Sequence, residues 1–138
     1  MSITPKEPEI IIPAGDPLNR LIVIPVVVGD GPEVAKGDTI VVQYKGVLWR
    51  KGKEFDSSWS REQPLVTAIG QGAVIAGWDK GLVGETVGSR VMLVIPPKDG
   101  YGDAGSGEIK GTDTMGFADD IRGAARVRHP PAPKYRTP

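Results

Sequence analysis

Thr39-Ile-Val-Val-Gln-Tyr-Lys45 alternates in character residue by residue. Ile40, Val42 and Tyr44 make one side apolar or aromatic, while Thr39, Val41, Gln43 and Lys45 make the other. Strand side chains point to opposite faces in turn, so this stretch predicts a strand with one face packed on a core. Upstream, the β-branched run from Leu21 to Val28 predicts a second strand, which Pro25 marks as an edge or a bulge. Turns are expected at Gly29-Asp-Gly-Pro32, Lys36-Gly-Asp38 and Arg50-Lys-Gly52. Downstream, Glu54-Phe-Asp56 opens what reads as an irregular polar segment through Arg61, and Leu65 to Ile69 reads as a strand. One helix of any size is available, around Ile75 to Val83, where Ile75, Trp78 and Leu82 form a single stripe. Gly77 and Gly81 each cost that helix about 1 kcal/mol relative to Ala, so packing must hold it. Arg90 to Ile95 predicts another strand, Lys98 to Gly111 a glycine-rich loop, and Thr114 to Ile121 the closing strand. The sum is α+β: a twisted antiparallel sheet with one short helix on one face.

The chain has 138 residues, enough for one domain, with 19 Gly and 13 Pro punctuating it. Residues 1–17, with Pro5, Pro8, Pro13 and Pro17, read as an extended leader, in which Ile10-Ile-Ile12 is a candidate edge strand. Residues 18–121 form the expected domain, and 122–138 a proline-rich basic tail. The tail carries five basic residues and no acid, which leaves 12 basic against 17 acidic residues upstream, a net −5. A mildly acidic body is a poor nucleic-acid footprint. No apolar run is long enough to span a bilayer, and Met1-Ser-Ile-Thr-Pro-Lys6 lacks the pattern of a signal peptide. A cytoplasmic monomer without membrane or nucleic-acid partners is the expectation.

Much catalytic chemistry is excluded. The single histidine, His129, lies in the tail, so no Ser-His or Cys-His pair can be assembled in the body. There is no cysteine, no cluster with metal-ligand spacing, and hence no metal or cofactor expected. Gly100-Tyr-Gly-Asp-Ala-Gly105 matches the dinucleotide-loop pattern in form but opens no helix. Asp56 has no second carboxylate obviously paired with it. An enzyme of this composition works without a nucleophile, a metal or a cofactor.

What remains is an ordered series of motifs around aromatic residues: Val42-Gln-Tyr44-Lys-Gly46, Gly52-Lys-Glu-Phe55-Asp56-Ser-Ser58, Val74-Ile-Ala-Gly-Trp78-Asp79, Val87-Gly88, Ile95-Pro-Pro97 and Gly100-Tyr101-Gly102. The series resembles the FKBP family of peptidyl-prolyl isomerases, the immunophilins that bind rapamycin-type macrolides, from about Leu18 to Ile121. The resemblance implies a half-barrel sheet wrapped around a short helix, and catalysis of Xaa-Pro rotation in protein segments. It implies Trp78 as the pocket floor, with Tyr44, Phe55 and Phe117 as walls and Val74, Ile75 and Ile109 as aliphatic lining. It further implies substrate carbonyls bonded by the Ile75 backbone N–H and the Tyr101 phenol, and Asp56 at the rim tied to Tyr44 and Arg61. A module of the same fold that binds without catalysing is the alternative from a different class.

Three positions depart from the family pattern. Leu65 stands where many relatives have an aromatic lip, and the loop ends Glu108-Ile109-Lys110-Gly111 rather than Ile-Pro-Pro. In Met115-Gly-Phe117-Ala-Asp119-Asp120-Ile121, counting by twos from Phe117 turns Asp119 inward, where an unpaired acid is costly. Gly116 and Asp120 also weaken the strand, so the expectation is a strand that ends or bulges at Ala118 and leaves Asp119 in water.

Overall fold

The computed structural model describes residues 6–126. Six strands form one antiparallel sheet: β1 (Ile22–Val27), β2 (Thr39–Leu48), β3 (Glu54–Ser57), β4 (Leu65–Ala68), β5 (Arg90–Ile95) and β6 (Met115–Ala125). The order across the sheet is β1-β5-β6-β2-β3, with β4 also paired to β2. The last of these strands, β6, therefore occupies the middle. β1 is an edge strand, and its register against β5 shifts between Pro25 and Val27, so Pro25 marks both an edge and a bulge.

The alternation in β2 is the alternation of the sheet. Ile40, Val42 and Tyr44 are buried, and they share the concave face with Phe117 and Ile121 of β6 and with Val91, Leu93 and Ile95 of β5. Helix α1 (Ala76–Leu82) lies on this face. Its glycines are explained by close approach: a Cβ on Gly77 would stand 2.6 Å from Ile95, and one on Gly81 2.7 Å from Leu93. The cost in helix propensity is offset by a helix seated directly on β5.

The opposite, convex face is covered by the N-terminal segment. Pro8 is buried there. The Lys6 carbonyl accepts from Arg90 Nη2 at 2.7 Å, Glu7 pairs with Lys45, and the Gly15 carbonyl accepts from Trp49 Nε1 at 2.9 Å. Ile10 to Ile12 form no strand.

The structure corrects two further expectations. Glu54 to Ser57 is a strand rather than irregular chain, paired to β2 with a register shift between Gly46 and Val47; its polar composition reflects its place at the end of the sheet. The closing strand neither ends nor frays at Ala118: it runs to Ala125 with Asp119 fully buried. From Met115 to Asp120, β6 is paired with β2 on one side and β5 on the other, so this stretch has no free edge from which to peel away. A bulge does occur, but later, between the Val42–Ile121 and Val41–Gly123 pairs. Of the basic tail, residues 127–138, including His129, lie outside the described residues.

Candidate active site

A cavity of about 370 Å³ opens on the concave face. β2 contributes Tyr44, β3 contributes Phe55 and Asp56, and β4 contributes Leu65. The segment entering α1 adds Ala73, Val74 and Ile75, and the helix adds Trp78. Tyr101, from the glycine-rich loop, and Phe117 of β6 complete the lining.

The rings pack edge to face. Tyr44 and Trp78 have centroids 5.2 Å apart at 83°, Trp78 and Phe117 5.6 Å at 84°, and Phe55 and Phe117 5.6 Å at 88°. Such contacts set a positive ring edge on a negative face and fix each ring's orientation. Gly46 makes room for them, since a Cβ there would stand 2.7 Å from the Phe117 ring and 2.8 Å from Phe55.

At the rim, polar groups are tied to one another. The Tyr44 hydroxyl donates to Asp56 Oδ2 at 2.6 Å and accepts from Arg61 Nη2 at 2.8 Å. Arg61 Nη1 donates to Asp56 Oδ1, and the guanidinium lies 5.4 Å from the Tyr44 ring centre. Burial and the bond to Asp56 push the Tyr44 phenol up to about 12, against the opposing pull of Arg61. Burial, with Asp56 nearby, raises Tyr101 as well. Both phenols therefore stay protonated at neutral pH and remain hydrogen-bond donors. Asp56 has its oxygens engaged by Tyr44 and Arg61 and is poorly placed to act as a base.

The expected set is thus largely brought together, with two differences of place. Arg61 belongs to the rim network and not to the cavity wall. Ile109 is buried in the core, bridged to Ser106 in the glycine-rich loop, and is not among the lining residues. Sequence reading missed Ala73 and Asp79. From the first turn of α1, Asp79 accepts the backbone N–H groups of Gly70 at 2.6 Å and Gly72 at 2.9 Å, and so holds the loop that carries Ala73 to Ile75. The signal was the acid directly after Trp78. Among the described residues no group of three or more acids or histidines could hold a metal, and no helix is long and apolar enough to cross a membrane.

The model of the FKBP-type peptidyl-prolyl cis-trans isomerases matches residues 31–118, which include every residue lining the cavity and Arg61 at its rim. The chain belongs to that family. It is 42% identical over 118 residues to an FK506-binding protein of Streptomyces anulatus, covering 84% of this chain and 95% of that one. FK506-binding protein 2 of Aspergillus oryzae is 45% identical over 91 residues, covering 66% and 68% of the two chains. The crystal structure of AtFKBP13 matches with a TM-score of 0.71 at 38% identity, over 76% of this chain and 93% of that one. FkpA from Escherichia coli matches with a TM-score of 0.71 at 39% identity, over 77% of this chain and 48% of that one. The protein is a peptidyl-prolyl cis/trans isomerase, and the aromatic cluster agrees with that activity.

Proposed function

We propose that the cavity takes the prolyl ring of an Xaa-Pro segment, with Trp78 beneath it and Tyr44, Phe55 and Phe117 around it. The Ile75 backbone N–H and the Tyr101 hydroxyl bond the flanking carbonyls, and Val74 and Leu65 contact the neighbouring residues. Arg61 acts indirectly, by holding Asp56 and Tyr44 in place. That all these groups come from one chain supports a monomeric enzyme. The same apolar cavity takes a rapamycin-type macrolide, which competes with substrate.

The chemistry needs no nucleophile. The barrier to prolyl rotation is roughly 18–20 kcal/mol and arises from amide resonance, which places charge on oxygen and nitrogen. Water stabilises that planar, polar ground state. An aromatic cavity stabilises it less, and the twisted amide, having lost resonance, sacrifices less on entering. Each 1.36 kcal/mol of such differential binding gives about a tenfold rate increase.

The observation that carries this reading is the edge-to-face ring cluster lining the cavity, with its one acid already bonded to Tyr44 and Arg61. NMR exchange measurements on a Leu-Pro peptide test it. Wild type is expected to accelerate exchange and to be inhibited by the macrolide, and Phe55→Ala to lower kcat/KM roughly tenfold or more while remaining folded. Unchanged catalysis in folded Phe55→Ala would sink the assignment of the cavity.

A further inference from the structure

Asp119 is fully buried, and among the described residues neither of its carboxyl oxygens has a hydrogen-bond partner. It lies on the concave face between Phe117 and Ile121, directly across from Tyr44 of β2 and Val91 of β5. Phe117 and Tyr44 are two of the rings against which Trp78 packs, and the indole Nε1–H of Trp78 is likewise buried without a partner. The cavity floor is thus laid on a row of side chains that contains one bare acid.

Among the described residues, no cation faces that acid. From β2, Tyr44 is the titratable neighbour, and its hydroxyl is engaged by Asp56 and Arg61; Lys45 lies on the other face. From β5, Val91 and Leu93 share the acid's face, while Arg90 lies opposite with Asp120. In α1, Trp78 and Leu82 are buried against the core, whereas Asp79 bonds Gly70 and Gly72 and Lys80 pairs with Asp99. An ionised carboxylate in such a place carries a large uncompensated solvation cost, whereas the neutral acid carries the smaller cost of an unsatisfied polar group.

We infer that Asp119 is a positioning residue for the cavity floor, held as a neutral acid, and that its loss of a proton as pH rises loosens the Tyr44–Trp78–Phe117 cluster and weakens fold and catalysis together. Burial, and then the charge of Asp120, hold its affinity for the proton well above the ordinary carboxylate range. Below the unfolded-state value both folded and unfolded chains are protonated, and the group has no effect. Between the unfolded and folded values only the unfolded chain has lost its proton, so stability falls as pH rises; above the folded value the penalty is constant. To reach water, the charged form must displace its neighbours on that face, among them Tyr44 and Val91 across the strands. The catalytic part of the inference rests on the cavity reading given above; the stability part does not.

The test compares wild type with Asp119→Asn, which keeps the shape but cannot titrate, and Asp119→Val. Three quantities are followed between pH 4 and 9: the folding equilibrium constant from urea melts, the NMR resonance of the Trp78 indole N–H, and kcat/KM. Wild type is expected to lose up to about tenfold in folding constant per pH unit relative to Asp119→Val across the titration window. Its indole resonance and kcat/KM should shift over the same window, and both variants should lack that step. Parallel stability profiles in all three proteins overturn the inference. So does a stability step that leaves the indole resonance unmoved, because the floor is then not coupled to the acid. Absence of catalysis in all three breaks the cavity assignment instead, and the melts and the resonance still decide this one.

Discussion

Asp119 and Asp120 are neighbours in β6, and both are fully buried, yet the strand sends them to opposite faces. On the convex face Asp120 receives two hydrogen bonds from Arg90, at 2.6 Å to Oδ1 and 2.8 Å to Oδ2, and Arg122 approaches to 3.9 Å. The N-terminal segment then closes over Arg90 through the Lys6 carbonyl. On the concave face Asp119 stands across from Val91 and from Tyr44, whose phenol is already engaged, and among the described residues its carboxyl oxygens have no hydrogen-bond partner. Equal burial meets different surroundings: a guanidinium forks around one acid, while burial without a partner pushes the other well above the ordinary carboxylate range. The sheet thus separates a charged, paired layer beneath the N-terminal segment from a neutral layer beneath the active site.

Three substitutions probe that separation, in descending order of expected effect. Arg90→Leu strips Asp120 of its main partner and makes the convex face resemble the concave one. A loss of about 3–5 kcal/mol is expected, as for other broken buried pairs, read from urea melts at pH 7. A loss below about 1 kcal/mol would mean that Arg122 or water already substitutes for Arg90. Asp119→Val makes the concave face wholly apolar and should stabilise the protein by about 1–3 kcal/mol at pH 7. The gain should shrink toward pH 4, where the unfolded chain also keeps its proton; a gain independent of pH would instead report better packing. Glu7→Gln removes only the ion pair of the covering segment with Lys45, whose partner Glu7 is itself partly exposed. About 0.5 kcal/mol, diminishing with added salt, is expected, and a larger effect would show that the segment's docking depends on this contact.

The parts of the fold legible in the sequence were those written in local pattern. The alternation from Thr39 to Lys45 set the buried face of β2, and Ile75, Trp78 and Leu82 set the packed face of the helix. The cavity was legible because its aromatic residues stand in recognisable local motifs, even though they come from five separate elements and loops. Asp119 was misread for a physical reason. Counting by twos turned it inward correctly, but the cost of burying an acid argued for a frayed strand. What overrides that cost is the pairing of β6 with both β2 and β5, a property of strand order that no local window contains. The Arg90–Asp120 pair was invisible for the same reason, its members being 30 residues apart in sequence. The leader's role was hidden because its contacts with Arg90, Lys45 and Trp49 are equally remote.

The central place of β6 also bears on how the protein is made. β2 leaves the ribosome well ahead of its long partner, which runs from Met115 to Ala125. At roughly 5–20 residues per second of synthesis, several seconds separate the two. In that interval β2 and β5 each present an unpaired edge, the kind of surface on which nascent strands associate wrongly. Joining Thr39 to Ala125 is also a distant closure, of the sort that slows folding in sheet proteins. Translation stalled before Met115 therefore leaves two sheet fragments awaiting a middle, not a smaller working enzyme.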